Sequence, residues 1–148
     1  MITGDIVARK LSCRLGIIIP RKLTDPDNKE HAIGAIMEDD TTYIDQEAVN
    51  HLQISAEYLE QEKLHQIEEI RRRKSLFLEG REDDFNNKTV ILVNDGAATG
   101  AAIMVAARSI KRRFRLKRLK IALPVVPQGY RKIAEKGSRS RGSSHKSF

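Results

Sequence analysis

The chain has 148 residues, 40% of them hydrophobic and 32% charged, with 5% aromatics and no tryptophan. That is the size and make-up of one ordinary domain, cored by Ile, Leu, Val and Ala. Its one cysteine, Cys13, can form neither an internal disulfide nor a zinc site, so secreted disulfide scaffolds and zinc ribbons are excluded.

The net charge of +7 is unevenly placed. Residues 1–95 hold 13 Lys/Arg against 19 Asp/Glu, whereas residues 96–148 hold 14 Lys/Arg against the single Glu135. Such asymmetry points to an anionic partner, either nucleic acid or a phosphorylated small molecule. The plain alternative is a basic tail behind a near-neutral domain. No apolar h-region opens the chain, and the longest mostly apolar stretch, Gly96 to Ala107, is too short for a bilayer. A cytoplasmic protein with no membrane partner is therefore expected.

In chain order, Ile6 to Leu15 reads as a short amphipathic helix stopped by Gly16, with Cys13 as a small buried filler. The β-branched run Ile17-Ile18-Ile19 before Pro20 reads as a strand buried on both faces. Asp25-Pro26-Asp27-Asn28 is turn chemistry, and Thr24 to Glu30 is expected to be a mobile loop. Ile33–Met37 and Thr41–Ile44 flank Glu38-Asp39-Asp40 as a hairpin. Asp45 and Ser55 are placed as N-caps of two helices. The second should run to about Leu78, burying a stripe of Leu59, Leu64, Ile67, Ile70 and Phe77, while Arg71 to Lys74 form a solvated face. Arg81 to Lys88 reads as polar linker. Thr89 to Val93 is the clearest strand, Ala101 to Arg112 the clearest helix, and Leu119 to Val126 a third buried strand. This alternation is the signature of a parallel α/β sheet. The final GSRSRGSSHKSF stretch, residues 137–148, is expected to be a disordered basic tail.

The densest chemical signal lies at residues 90–104. A buried strand ends in Asn94 and Asp95, followed by the small residues Gly96, Ala97 and Ala98, and then Thr99-Gly100 opening a helix. Small residues let backbone approach an oxyanion, and the helix mouth offers unpaired N–H groups and about half a positive charge. Phosphate is the natural occupant. Asp95 would repel it unless it serves sugar hydroxyls or a magnesium ion, so the combined message is a sugar phosphate. A Walker A loop fails because Ala101-Ala102 follow Gly100, and the Gly96–Gly100 spacing does not fit a dinucleotide fingerprint. A tight turn that binds nothing is the bland alternative.

This stretch resembles the phosphoribosyl-diphosphate (PRPP) signature of type I phosphoribosyltransferases. Gly4-Asp5-Ile6-Val7-Ala8 is similar to the glycine end of that family's pyrophosphate loop and the helix after it. Arg21-Lys22-Leu23 is similar to the basic start of its flexible hood loop. The resemblance covers roughly residues 3–127 and implies a parallel-sheet, Rossmann-like phosphoribosyltransferase domain over residues 1–136, with a helical insertion at about 45–80. It also implies an incomplete core: either a gene product truncated or altered at its two ends, or a chain that forms a homodimer to cover its open edge.

By the same resemblance, Asn94 to Gly100 would hold ribose 5-phosphate. Asp95 would face the ribose hydroxyls, with magnesium nearby and only indirectly bound. Gly4, Arg21 and Lys22 would contact the leaving pyrophosphate. The implied activity is transfer of ribosyl 5-phosphate from PRPP to a nitrogenous base, with Mg as cofactor. Asn94 replaces an acidic position of the pattern, Ala98 leaves the loop without a carboxylate base, and Thr3 stands where a basic residue is usual. Asn94 and the missing ends favour two alternatives: a non-catalytic PRPP or nucleotide sensor that binds nucleic acid through its basic C-terminal third, or a degenerate fragment with no ligand. His31, His51, His65 and His145 have no metal-ligand spacing and read as surface residues.

Overall fold

A computed structural model describes residues 2–78, 83–94 and 100–122 of the chain. The expected tail, residues 137–148, and the end of the third strand lie outside them. The described elements run α1 (Ile2–Lys10), β1 (Arg21–Thr24), β2 (Ala32–Ile36), β3 (Thr42–Ile44), α2 (Gln46–His51), α3 (Ala56–Leu78), β4 (Thr89–Val93), α4 (Ala101–Arg113) and β5 (Arg118–Ala122). β1, β2 and β3 form an antiparallel sheet in that order, and β4 and β5 form a separate parallel pair. The parallel α/β reading thus holds for β4–α4–β5, but neither strand is buried as expected: β5 exposes every residue except the half-buried Leu119, and β4 buries only Leu92 fully. The first half of the chain contributes an antiparallel sheet.

α1 begins four residues earlier than its periodicity suggested and stops at Lys10 rather than near Leu15. Ser12 takes φ 50°, its N–H reaches the Arg9 carbonyl, and the Cys13 N–H reaches the Ala8 carbonyl. This left-handed close satisfies the last carbonyls of the helix. Cys13 consequently falls beyond the helix and is exposed, not buried. Ile17 to Ile19 are half-buried and carry no strand assignment. A three-residue β-branched run is a strand only if a neighbouring strand meets it, and none does among the described residues.

Turn chemistry between β1 and β2 is realised in hydrogen bonds. Asp25 Oδ1 accepts from the Asp27 N–H, and Asn28 Oδ1 from the Glu30 N–H. The β2–β3 hairpin forms where expected, with Ala35 opposite Tyr43. Asp45 caps α2 by accepting from the Glu47 and Ala48 N–H groups, and Ser55 Oγ accepts from the Tyr58 N–H at the start of α3.

The inward stripe of α3 departs from the expected one. Leu64 and Phe77 are exposed, at 64% and 58%. Glu62 and Gln66 instead lie buried beside Leu59, Ile67 and Ile70. At 3.6 residues per turn, positions 66 and 62 lie about 40° and 80° from Ile70 and position 64 about 120° away, whereas Phe77 shares the Ile70 face and is exposed one residue before the helix ends.

β2 is buried from Ile33 onward, and its side chains, with that of Met37 just after it, divide between two clusters. Ile33 and Ile36 join Leu23, Val49 and Ile70, whereas Ala35 and Met37 meet Ile103, Val105, Ala106 and Ile110 of α4. β2 therefore bridges α3 and α4. The supposed polar linker is also anchored: Phe85 meets Phe114 edge-to-face at 5.1 Å, and Arg115 N–H donates to Asn86 Oδ1.

Candidate functional site

β4 carries the site to its position. Its register with β5 runs from Thr89–Arg118 to Val93–Ala122, and the next residue, Asn94, donates its N–H to the Ala122 carbonyl at 3.4 Å. Asn94 is half-buried at the strand's carboxyl end, where ligands of parallel α/β sheets sit. Asp95, Gly96, Ala97, Ala98 and Thr99 lie outside the described residues.

Gly100 is the N-cap of α4. It is buried, with φ 72° and ψ −11°, a left-handed conformation that disfavours any side chain. The first intrahelical bond of α4 runs from the Met104 N–H to the Gly100 carbonyl, and among the described residues no side chain caps the helix start. At the positive end of this 13-residue helix the N–H groups of Ala101, Ala102 and Ile103 have no intrahelical acceptor.

A groove of about 710 Å³ runs beside β4. Gly4 and Thr3 of α1, Leu15, Ile18 and Asn94 are among the residues that line it. Two of the expected site residues, Gly4 and Asn94, therefore face one cavity. Gly100, Arg21 and Lys22 are not part of its lining. The Arg21 Nε donates to Gln66 Oε1 at 2.9 Å, so its guanidinium is engaged with α3. Burial, and then the charge of Arg73, draw its pKa below the ordinary value, although it stays cationic. Lys22 is exposed on β1.

Asp83 and Phe85 also wall the groove. Sequence reading passed over them, and Phe85, an isolated aromatic in a polar stretch, was the available signal. Among the described residues no cluster of His, Cys, Asp or Glu has the make-up of a metal site. Asp95, the residue tied to magnesium, lies outside them. Among the described residues, too, no helix is long and apolar enough to cross a membrane.

No family model matches the chain. Two Mycobacterium tuberculosis proteins, from the CDC 1551 / Oshkosh and H37Rv strains and both provisionally named phosphoribosyl transferases, are 30% identical to it over 122 residues. That match takes in 82% of this chain but 27% of each relative, so the chain spans about a quarter of their length. The crystal structure of TT1426 from Thermus thermophilus superposes with a TM-score of 0.62 at 28% identity, over 89% of this chain and 62% of that one. The chain is thus phosphoribosyl-transferase-like in sequence, and an α/β protein in fold.

Proposed function

We propose that the chain binds a phosphorylated pentose at the β4–α4 turn and acts as a phosphoribosyltransferase, moving ribosyl 5-phosphate from PRPP to a nitrogenous base. The observation that carries this reading is the left-handed start of α4 at Gly100, which no side chain of the described residues caps, on the helix that follows the parallel strand β4 in the chain. Its similarity to proteins named phosphoribosyl transferases supports the same class.

In this reading the amides at the helix start and Thr99 hold the 5-phosphate, and Asn94 and Asp95 meet the ribose hydroxyls. Gly4, with Arg21 and Lys22, serves the diphosphate. The C1–oxygen bond to diphosphate breaks with its electron pair leaving on oxygen, and a bond to the acceptor nitrogen forms. Magnesium, brought by PRPP, would neutralise the leaving group's charge. Held geometry and charge stabilisation are the chain's own contributions.

Titration calorimetry of the chain with PRPP and Mg²⁺ tests binding. Saturable heat is expected, and Gly100→Val should abolish it while circular dichroism retains the helical spectrum. Absence of heat from the unsubstituted chain overturns the reading.

The neutral Asn94, where the resembling pattern carries an acid, favours a second reading: a PRPP or nucleotide sensor without turnover. Pyrophosphate release assayed with a panel of bases separates the two. Binding without release supports the sensor.

A further inference from the structure

The strongest charged feature of the fold lies away from the groove. Residues 111–120, at the end of α4, the following loop and the start of β5, carry Lys111, Arg112, Arg113, Arg115, Lys117, Arg118 and Lys120, and no acidic residue. All seven are exposed, whereas the interleaved Phe114, Leu116 and Leu119 are half-buried and pack on the α4 core cluster. None of the seven forms an ion pair with a described carboxylate; Arg113 instead stacks over Phe114 at 5.2 Å. The other basic run of the chain behaves in the opposite way. Arg72 and Arg73 are both held by Glu69, and Lys74 by Glu38.

The cationic segment is also held in place. Asn87 N–H donates to the Arg115 carbonyl at 2.7 Å, Lys117 N–H to the Lys88 carbonyl at 3.0 Å, and Arg115 N–H to Asn86 Oδ1 at 2.8 Å. Three apolar anchors and three backbone bonds present the charges on a formed surface, which lowers the ordering cost of engaging a partner.

We infer that this surface binds nucleic acid through its phosphate backbone, independently of any sugar-phosphate chemistry at the β4–α4 turn. Four of the seven cations are arginines, whose forked guanidinium suits phosphate oxygens. Arg118 and Lys120 share one face of β5, about 6.6 Å apart along the strand. That is about twice the axial spacing of charge on one strand of a duplex. An anionic membrane is the poorer match, because the apolar side chains within the segment turn to the core and leave no wedge to insert. The one aromatic of residues 111–120, Phe114, is packed against Phe85, so this segment offers bases no stacking platform and its contacts fall to phosphates, which carry no base information. Binding should therefore be sequence-tolerant.

Fluorescence anisotropy of the full chain with labelled duplexes of two unrelated sequences tests this across about 50 to 200 mM KCl. Both duplexes should bind alike, and affinity should fall by at least about a hundredfold over that range. The exposed-site variant R112Q/R115Q/R118Q/K120Q should flatten the salt slope by about three to four, with its circular dichroism unchanged. R71Q/R72Q should leave the slope as it is. The inference is overturned by any of four results: no binding at low salt; equal losses from both variants; loss of all binding on deleting residues 137–148; or binding to phosphatidylserine vesicles but to neither duplex.

Discussion

At the scale of single residues, Gly34 and Glu69 carry consequences that their neighbours fix. Gly34 sits in β2 opposite Ile44, and a Cβ on it would fall within the contact distance of the Tyr43 carbonyl oxygen. The obstacle is backbone, which cannot swing aside as a flexible side chain would. Gly34→Ala should therefore push β3 off β2 and cost about 1–3 kcal/mol in urea unfolding. Glu69 accepts hydrogen bonds from Arg72 and Arg73, and these hold its carboxyl at about 2, below the ordinary 4.5. A depressed acid stabilises the fold above its unfolded pKa and loses that contribution as pH falls toward the folded one. The melting temperature should then drop between about pH 4.5 and pH 2, and the drop should be shallower in Glu69→Gln. Neither feature is legible from the sequence: Gly34 depends on a cross-strand approach, and Glu69 on which of the neighbouring arginines turn toward it.

The elements were legible wherever a local signal sufficed. Asp45 and Ser55 cap their helices, the β2–β3 hairpin closes over its acidic turn, and β4 spans Thr89–Val93 as its β-branched run suggested. Reading failed where tertiary partners decide. On α3 the buried positions 62 and 66 are polar because β1 offers them matching groups. Glu62 Oε1 accepts from the Thr24 N–H at 3.2 Å, Thr24 Oγ1 at 2.9 Å and Gln66 Nε2 at 3.1 Å. Gln66 Oε1 in turn takes the Arg21 Nε. A stripe drawn from hydrophobicity alone passes over such a network. Glu62→Ala would strand the Thr24 donors between β1 and α3. We expect it to cost about 1–3 kcal/mol in urea denaturation, whereas Leu64→Ala on the exposed face should be near neutral.

For the molecule as a whole, the candidate site was visible as chemistry but not as a place. The strand and the helix over residues 89–113 are legible in extent because each is local, although the expected burial of β4 fails at Thr89 and Ile91, which are exposed. That Gly4 of α1 shares a cavity with Asn94 depends on about 90 intervening residues folding first, and no periodicity encodes it. Sequence charge counts likewise located the positive third of the chain. Only the fold separates cations already claimed by Glu38 and Glu69 from the seven that face solvent together.

The parallel pair itself gives β4 two unlike sides. Since the Asn94 N–H reaches Ala122, alternation along the strand turns the Val90 and Leu92 amides toward β5 and those of Ile91 and Val93 toward the groove. Among the described residues nothing accepts from the latter two. In deuterium exchange followed by NMR, adjacent amides of one five-residue strand should separate into two populations. Val90 and Leu92 should retain their protons long after Ile91 and Val93 have given theirs up. Uniform retention along β4 would mean that its outer side is already occupied in solution.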